Sequence, residues 1–269
     1  MKRFIALTTI LALAGCILTG CATTATPTTA AASSVQATET TVQTEASSGN
    51  ASDTTEAPAS AHIVEVADMS VTTLTDDSGD EFKTVIPKLI VDGVEADAIN
   101  SALSDYISKN HILEKIDYMD GDAQRYYVTG ETTRYAWGVR GNIVSIVIIA
   151  SETFTDGVRY EIFNYNVDTL QAAGNEEVIC SLGMTTDEFN NKVADAYRAY
   201  WDSTPYLAEY TSDLDKSINA ISPTTVTPFI TPNGDIGAAG TIYMSQSQFP
   251  EMIRCFDLDT LTDEYFIEG

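Results

Sequence analysis

The sequence has few of the side chains on which enzyme active sites most often depend. Its 269 residues include only two histidines, His62 and His111, and four cysteines without the spacing of a metal site. It contains no glycine-rich phosphate loop and no serine in a nucleophile elbow. A catalytic serine–histidine pair would need His111, which lies in an apolar stretch. A glycosidase-type pair of carboxylates stays open in so acidic a chain, although no local pattern selects one. We therefore expect no enzyme activity, no cofactor and no metal centre.

Basic residues are scarce as well. Lysine and arginine number 14 against 39 aspartates and glutamates, so the formal net charge is −25. From His62 onward the chain holds 35 of the acidic and 12 of the basic residues, which leaves a charge near −23. Such a charge disfavours nucleic acid and anionic lipid head groups as partners. It allows a basic partner or a cation, and it is equally compatible with a surface that is simply well solvated.

Long apolar runs are missing too, apart from one near the beginning. Residues 4–18 follow the basic start Met1-Lys2-Arg3, and their 15 residues are fewer than the roughly 20 that a membrane-spanning helix needs. With small residues directly before Cys21, this pattern predicts that residues 1–20 are a bacterial lipoprotein signal peptide. We expect a lipid on Cys21 to hold the chain on the extracellular face of the cytoplasmic membrane.

A second cysteine competes as the lipidation site. Leu13-Ala14-Gly15-Cys16 is also a lipobox-like string. Cleavage before Cys16 would leave an apolar core of nine residues, 4–12, and would put Ile17 and Leu18 on the mature side. Cleavage before Cys21 keeps the full apolar core, so we favour Cys21 and keep Cys16 as the alternative.

Residues 21–61 are expected to form a disordered tether. They are mostly Thr, Ala, Ser, Glu and Gln and include no aromatic side chain. Such a segment buries too little apolar surface to offset the conformational entropy lost on folding. It predicts a spacer across the cell-wall layer, with O-linked sugar as a further option.

Residues 62–269 are expected to form a single acidic domain of the α+β class. Alternating apolar residues and turn signals predict strands at 62–74, 82–91, 126–139, 143–154, 158–168, 226–231, 236–244 and 252–258. Helical spacing predicts one helix with Asp92 as its N-cap, ending near Asn110, and a second with Thr185 as its N-cap. We expect a mainly antiparallel sheet with the two helices packed on one face.

Two cysteines remain in this part, Cys180 and Cys255, and both lie in apolar stretches that we expect to be strands. An extracellular compartment permits a disulfide between them, provided that their α-carbons lie within about 7 Å. Two buried free thiols are the alternative, and the sequence does not decide between them.

A weak calcium-loop pattern begins at Asp120. Its candidate ligands stand at offsets 1, 3, 5 and 12 of such a loop: Asp120, Asp122, Gln124 and Glu131. Arg125, however, occupies the position at which the sharp turn requires glycine. A second weak candidate is the turn with Asp76, Ser78 and Asp80. Both are equally well explained as solvated turns, so we assign no metal to either.

Several short stretches of sequence, in this order along the chain, are similar to those of a known family. They are Pro87-Lys88-Leu89 before a helix with Ile99-Asn100, Gly141-Asn142-Ile143-Val144-Ser145-Ile146, Asn166-Val167-Asp168-Thr169, and Phe229-Ile230-Thr231-Pro232-Asn233-Gly234. Over residues 63–258 the chain resembles the extracellular domain shared by lysozyme-sensing anti-sigma factors and peptidoglycan deacetylases of Gram-positive bacteria. Two loops depart from that pattern: Thr155-Asp156-Gly157 replaces a Gly-Gly-Ala-His-like turn, and residues 236–240 replace a Pro-Tyr-Ala-Gly-like string.

The resemblance implies a cell-envelope binding module that engages lysozyme or a cell-wall-related ligand. Because two loops depart from the family pattern, no binding residue is carried over to this chain. An accessory lipoprotein that binds another envelope protein is the alternative function, and a cell-wall hydrolase is a third, less favoured one.

Overall fold

Two β-sheets face each other in the computed structural model, which describes residues 62–155, 157–207, 209–245 and 251–260. These residues belong to one unit that runs from Thr54 to Gly269. The expected signal peptide at 1–20, the lipidation candidates Cys21 and Cys16, and the expected tether at 21–61 all precede the described residues.

Within the described ranges the chain forms eleven strands and four α-helices. In chain order they are β1 (Val64–Thr75), β2 (Glu81–Val91), β3 (Val94–Glu95), α1 (Asp97–Asn110), β4 (Leu113–Asp120), β5 (Ala123–Arg140), β6 (Ile143–Glu152), β7 (Val158–Asn166), β8 (Gln171–Ala172), α2 (Asn175–Ser181), α3 (Thr186–Ser203), α4 (Thr211–Asn219), β9 (Val226–Ile230), β10 (Ile236–Tyr243) and β11 (Glu251–Asp257). None of these helices combines the length and apolarity that a bilayer span requires.

The larger sheet is mixed, and the smaller one is antiparallel. The larger sheet has the order β1-β2-β5-β6-β7-β8, with β3 beside β2 and β4 beside β5. Its neighbours pair antiparallel except β2 and β5, which run parallel where Thr84 lies beside Thr133. The smaller sheet has the order β11-β10-β9.

The sheets and helices stack in four layers. Helix α1 packs on one face of the larger sheet through Ile99, Leu103 and Ile107. The smaller sheet covers the opposite face, and α2, α3 and α4 pack on its outer side. Every residue of β6 from Ile143 to Ala150 is buried because α1 lies on one side of this strand and the smaller sheet on the other. The almost wholly apolar sequence of residues 143–149 matches this burial on both faces.

The predicted α+β class is confirmed, but the finer arrangement is wrong in part. The three C-terminal strands pair with one another and form a second sheet instead of extending the first. This second sheet supports three of the helices, so the helices do not share one face. The chain also turns at Asp92 instead of starting a helix there: Asp92 has a φ of +52°, and α1 begins five residues later at Asp97.

A buried polar group joins the two sheets. The Ser145 hydroxyl donates to Asn164 Oδ1 at 2.6 Å and accepts from the backbone N–H of Ile230 at 2.8 Å. The Asn164 amide in turn donates to the carbonyl of Pro228 at 2.9 Å. Backbone groups of β9 therefore depend on side chains of β6 and β7 for their hydrogen bonds.

The Ser145→Ala variant is expected to lower the free energy of unfolding by about 1–3 kcal/mol, because it leaves a buried donor and a buried acceptor without partners. Urea unfolding measures this loss. The matched control is Ser78→Ala in the exposed β1–β2 turn, for which we expect a change within about 0.5 kcal/mol. Equal effects of the two variants would show that the hydroxyl of Ser145 does not hold the sheets together.

Candidate functional site

The hairpin formed by β4 and the first half of β5 carries the candidate site. A two-residue turn, Gly121-Asp122, joins the strands, and Gly121 has the positive φ (+64°) that favours glycine at the first position of a tight hairpin turn. β5 pairs with β4 as far as Gly130 and with β6 from Glu131 onward. The backbone N–H of Tyr126 donates to Asp77 Oδ2 at 2.9 Å, so the β1–β2 turn also holds the hairpin.

Three exposed aromatic rings meet on this hairpin, and we call Tyr118, Tyr127 and Phe154 the aromatic patch. The ring centroids of Tyr118 and Tyr127 lie 5.9 Å apart, and Tyr127 meets Phe154 of the β6–β7 turn at 5.4 Å. The three residues line one shallow depression and are 44%, 37% and 65% exposed. A contiguous apolar surface of this kind typically marks an interaction site.

Acidic side chains outnumber basic ones on the hairpin that carries Tyr118 and Tyr127. The exposed acids of the hairpin are Glu114, Asp117, Asp120 and Asp122. Glu114 and Asp120 point to the same side of β4 as Tyr118, since alternate residues of a strand share a side. The two cations of the hairpin already have partners: Lys115 lies 3.0 Å from the centre of the Tyr126 ring, and Arg125 Nε lies 3.3 Å from Asp120 Oδ2. With four acids against two cations, the hairpin has a net negative charge.

A group of polar side chains around the buried His111 lies at the base of the same hairpin, and we call it the histidine cluster: Tyr106, His111, Glu131, Arg159 and Glu161. His111, between α1 and β4, has Nδ1 at 2.6 Å from Glu131 Oε2 and Nε2 at 2.9 Å from Glu161 Oε2. Arg159 Nη2 donates to Glu131 Oε2 at 2.6 Å. The His111 side chain has no exposed surface.

This geometry requires a charged imidazole. A carboxylate accepts hydrogen bonds and cannot donate them, so both ring nitrogens of His111 need a proton. Burial disfavours this charge, but the hydrogen bonds to Glu161 and Glu131 outweigh burial and raise the pKa of His111 above its ordinary value of 6.5. Burial likewise opposes the charge on Glu161, but the hydrogen bond from His111 lowers the pKa of Glu161 below its ordinary 4.5.

The histidine cluster is closed to substrates. Two cations face two carboxylates, and the imidazole is covered on all sides. A general acid or base must reach the proton that it transfers, and His111 reaches only protein atoms. The cluster therefore joins α1, β5 and β7 and is not an arrangement for proton transfer to a ligand.

The second histidine repeats the arrangement at the surface. His62 Nδ1 lies 2.6 Å from Asp92 Oδ2, and Nε2 lies 2.8 Å from Asp168 Oδ1. The hydrogen bonds to Asp92 and Asp168 raise the pKa of His62, and the bond from His62 lowers the pKa of Asp92. These two contacts of His62 link the segment before β1 to the β2–β3 turn, which contains Asp92, and to the β7–β8 turn, which contains Asp168.

Stability is expected to be greatest between about pH 4.5 and pH 6.5. Because the pKa values of His111 and His62 are raised, their stabilisation is complete below 6.5 and is lost as the pH rises through the raised pKa values. Because the pKa of Glu161 is lowered, its stabilisation is complete above 4.5 and is lost as the pH falls. Thermal unfolding over a pH series tests this maximum. Increasing stability from pH 6.5 to alkaline pH would contradict it.

The four candidate residues of the weak calcium-loop pattern do not converge. Asp120 and Asp122 lie at the hairpin tip, whereas Glu131 lies at its base and binds His111 and Arg159. Among the described residues, no group of three histidine, cysteine or acidic side chains could hold a metal ion.

In the second calcium candidate, a carboxylate closes the turn. Asp76 Oδ1 accepts hydrogen bonds from the backbone N–H groups of Ser78 and Asp80, both at 2.9 Å. These bonds are those of a solvated turn, the alternative that the sequence offered.

A bridge between Cys180 and Cys255, one of the two options that the sequence left open, is not formed. Cys180 lies on α2, where it is exposed, and not on a strand as expected. Cys255 lies on β11 with a free thiol that faces the larger sheet, and burial raises its pKa. The sulfur atoms of Cys180 and Cys255 thus lie in different layers of the fold.

No protein-family model matches the chain, and neither a curated protein nor a solved structure matches it. The resemblance to the anti-sigma factor and deacetylase domain stays a prediction. What the site can do therefore follows from its geometry. Sequence reasoning missed both the aromatic patch and the histidine cluster, because residues in contact are far apart along the chain: Tyr127 lies 27 residues before Phe154, and His111 lies 50 residues before Glu161.

Proposed function

We propose that this chain is a lipid-anchored binding module of the cell envelope that docks a basic protein on the aromatic patch. The observation that carries this proposal is the joining of three exposed rings into one depression, beside a hairpin of net negative charge. The expected signal peptide, with Cys21 or Cys16 as the lipidated residue, would place this surface outside the cytoplasmic membrane. A charge near −23 after the tether would attract a basic partner.

The form of the patch favours a protein over a glycan. The planes of Tyr118 and Tyr127 meet at 52° and those of Tyr127 and Phe154 at 67°, so the three rings form an angular group and not one flat stacking surface. A compact group of tyrosine and phenylalanine with a polar rim is typical of the energetic centre of a protein interface. The net negative charge of the hairpin selects a basic partner and speeds its association.

The proposal is tested by titrating the purified protein with a basic lysozyme. An unrelated basic protein of similar charge and soluble peptidoglycan fragments serve as comparison ligands, at low and at physiological salt. We expect selective binding of the lysozyme that persists when screening shortens to about 8 Å, because the buried aromatic contact does not depend on salt. Equal and salt-sensitive binding to both proteins would overturn the proposal in favour of an accessory lipoprotein. Selective binding of the fragments would overturn it in favour of a cell-wall ligand.

A further inference from the structure

The contact between His111 and Glu131 closes the base of the β4–β5 hairpin. His111 lies two residues before Leu113, where β4 begins, and Glu131 directly follows Gly130, the last residue of β5 that pairs with β4. The backbone N–H of Glu131 also donates to the carbonyl of Ile112 at 3.3 Å. The two ends of the hairpin are thus held together by one side-chain contact and one backbone bond.

Both parts of the aromatic patch are attached at this base. Gly130 has a φ of +116°, and a side chain there would begin only 1.8 Å from the carbonyl oxygen of Ile112. The carbonyl of Gly130 accepts a hydrogen bond from the N–H of Thr153 at 3.1 Å, directly before Phe154. A shift at the base would therefore move Tyr127, on the hairpin, relative to Phe154, on the β6–β7 turn.

We propose that His111 is a proton-controlled latch that fixes the hairpin to β7 and so sets the shape of the aromatic patch. Charged and titratable groups face His111 from three elements: Tyr106 from α1, Glu131 from β5, and Glu161 and Arg159 from β7. With the imidazole protonated, both carboxylates receive a hydrogen bond. The link then runs without a break from the hairpin base through the ring to β7.

When His111 loses a proton, one of its two hydrogen bonds to the carboxylates is lost. A neutral imidazole has one N–H, so one of its nitrogens would meet a carboxylate with lone pair against lone pair. The cluster would change from two cations facing two carboxylates to one cation facing two. Either the Glu131 contact at the hairpin base or the Glu161 contact to β7 must lengthen.

The latch gives the docking surface a pH dependence, and only this consequence rests on the proposed function. At mildly acidic pH the closed latch holds Tyr118, Tyr127 and Phe154 in one depression. At alkaline pH one of the two His111 contacts is lost, and the hairpin base is held to β7 by the Arg159–Glu131 pair without the imidazole, so a partner would have to restore the full arrangement as it binds. We therefore expect tighter binding of the basic partner below the pKa of His111 than above it.

An NMR titration of the unliganded protein tests the latch without any partner. The imidazole signals of His111 and the amide signals of β4, β5 and Phe154 are followed from about pH 5 to about pH 9. We expect the hairpin amides and the imidazole to share one midpoint, above 6.5. In the Glu161→Gln variant, His111 faces one carboxylate fewer, so both midpoints should move together to lower pH.

The matched control is His62→Gln, which removes the surface histidine and should leave the hairpin midpoint unchanged. The latch is overturned if His111 keeps its proton throughout the range, or if it titrates while the hairpin amides stay still. Since no partner is present, these outcomes do not depend on whether a basic protein binds. Loss of partner binding with an intact latch would overturn only the proposed function.

Discussion

The double variant Tyr118→Ser/Phe154→Ser is expected to weaken binding of the basic partner by at least about 30-fold. An aromatic residue at the centre of an interface typically contributes about 2 kcal/mol or more, and 1.4 kcal/mol corresponds to a tenfold change in affinity. The two side chains form the more exposed part of the patch, at 44% and 65%, so they have much apolar surface to bury on binding. Calorimetric titration of the variant against the basic lysozyme measures the loss.

The same variant should fold normally. The ring contacts of Tyr118 and Phe154 with Tyr127 are exposed, and we expect the free energy of unfolding to change by no more than about 1.5 kcal/mol. Tyr206→Ser is the matched control, because Tyr206 is 62% exposed and lies in the 3₁₀ turn between α3 and α4. A full loss of binding in the Tyr206 variant, or none in the double variant, would show that the patch is not the docking surface.

The His111→Ala variant is expected to lower the free energy of unfolding by about 3–5 kcal/mol, because Glu131 and Glu161 would lose the buried cation between them. Such a loss is large for a domain whose total stability is typically about 5–15 kcal/mol. Urea unfolding at about pH 6, where the imidazole is charged, measures it. The corresponding variant of the surface histidine, His62→Ala, should have a much smaller effect, because water and salt screen its ion pairs.

The pH dependence separates the charge of His111 from its bulk. As the pH rises through the raised pKa of His111, the wild-type protein loses the same ion pairs that the alanine variant lacks. The difference in stability between the two should therefore decrease with increasing pH. A constant difference from pH 6 to pH 9 would mean that packing, and not charge, accounts for the loss.

Local sequence signals predicted those helices and strands whose own residues determine their conformation. The capping box of Thr185 and Glu188 starts α3 as predicted, and the apolar run of β6 is the most buried strand. Helices α2 and α4 were missed because they have only 7 and 9 residues, too few for a clear helical period. β4 was missed because charged residues interrupt its apolar positions. The pairing of the last three strands into a second sheet depends on long-range packing, which no local pattern encodes.

The candidate site could not be predicted either, because it also depends on contacts between residues that are far apart along the chain. His111 follows a helix in an apolar stretch, and its two carboxylate partners lie 20 and 50 residues further along the chain. The spacing between Asp120 and Glu131 matches that of the first and last ligands of a calcium loop. In the structure, however, the side chain of Glu131 binds His111 and Arg159. Phe154 reaches Tyr127 only because the β6–β7 turn lies beside Gly130.

The most direct test of the central claim is a hydrogen–deuterium exchange footprint of the protein with and without a saturating basic lysozyme. We predict that bound partner slows amide exchange in the β4–β5 hairpin and in the β6–β7 turn around Phe154, and leaves α3 and β1 unchanged. Protection centred on another surface, with the hairpin and Phe154 unaffected, would contradict the assignment of the aromatic patch as the docking site.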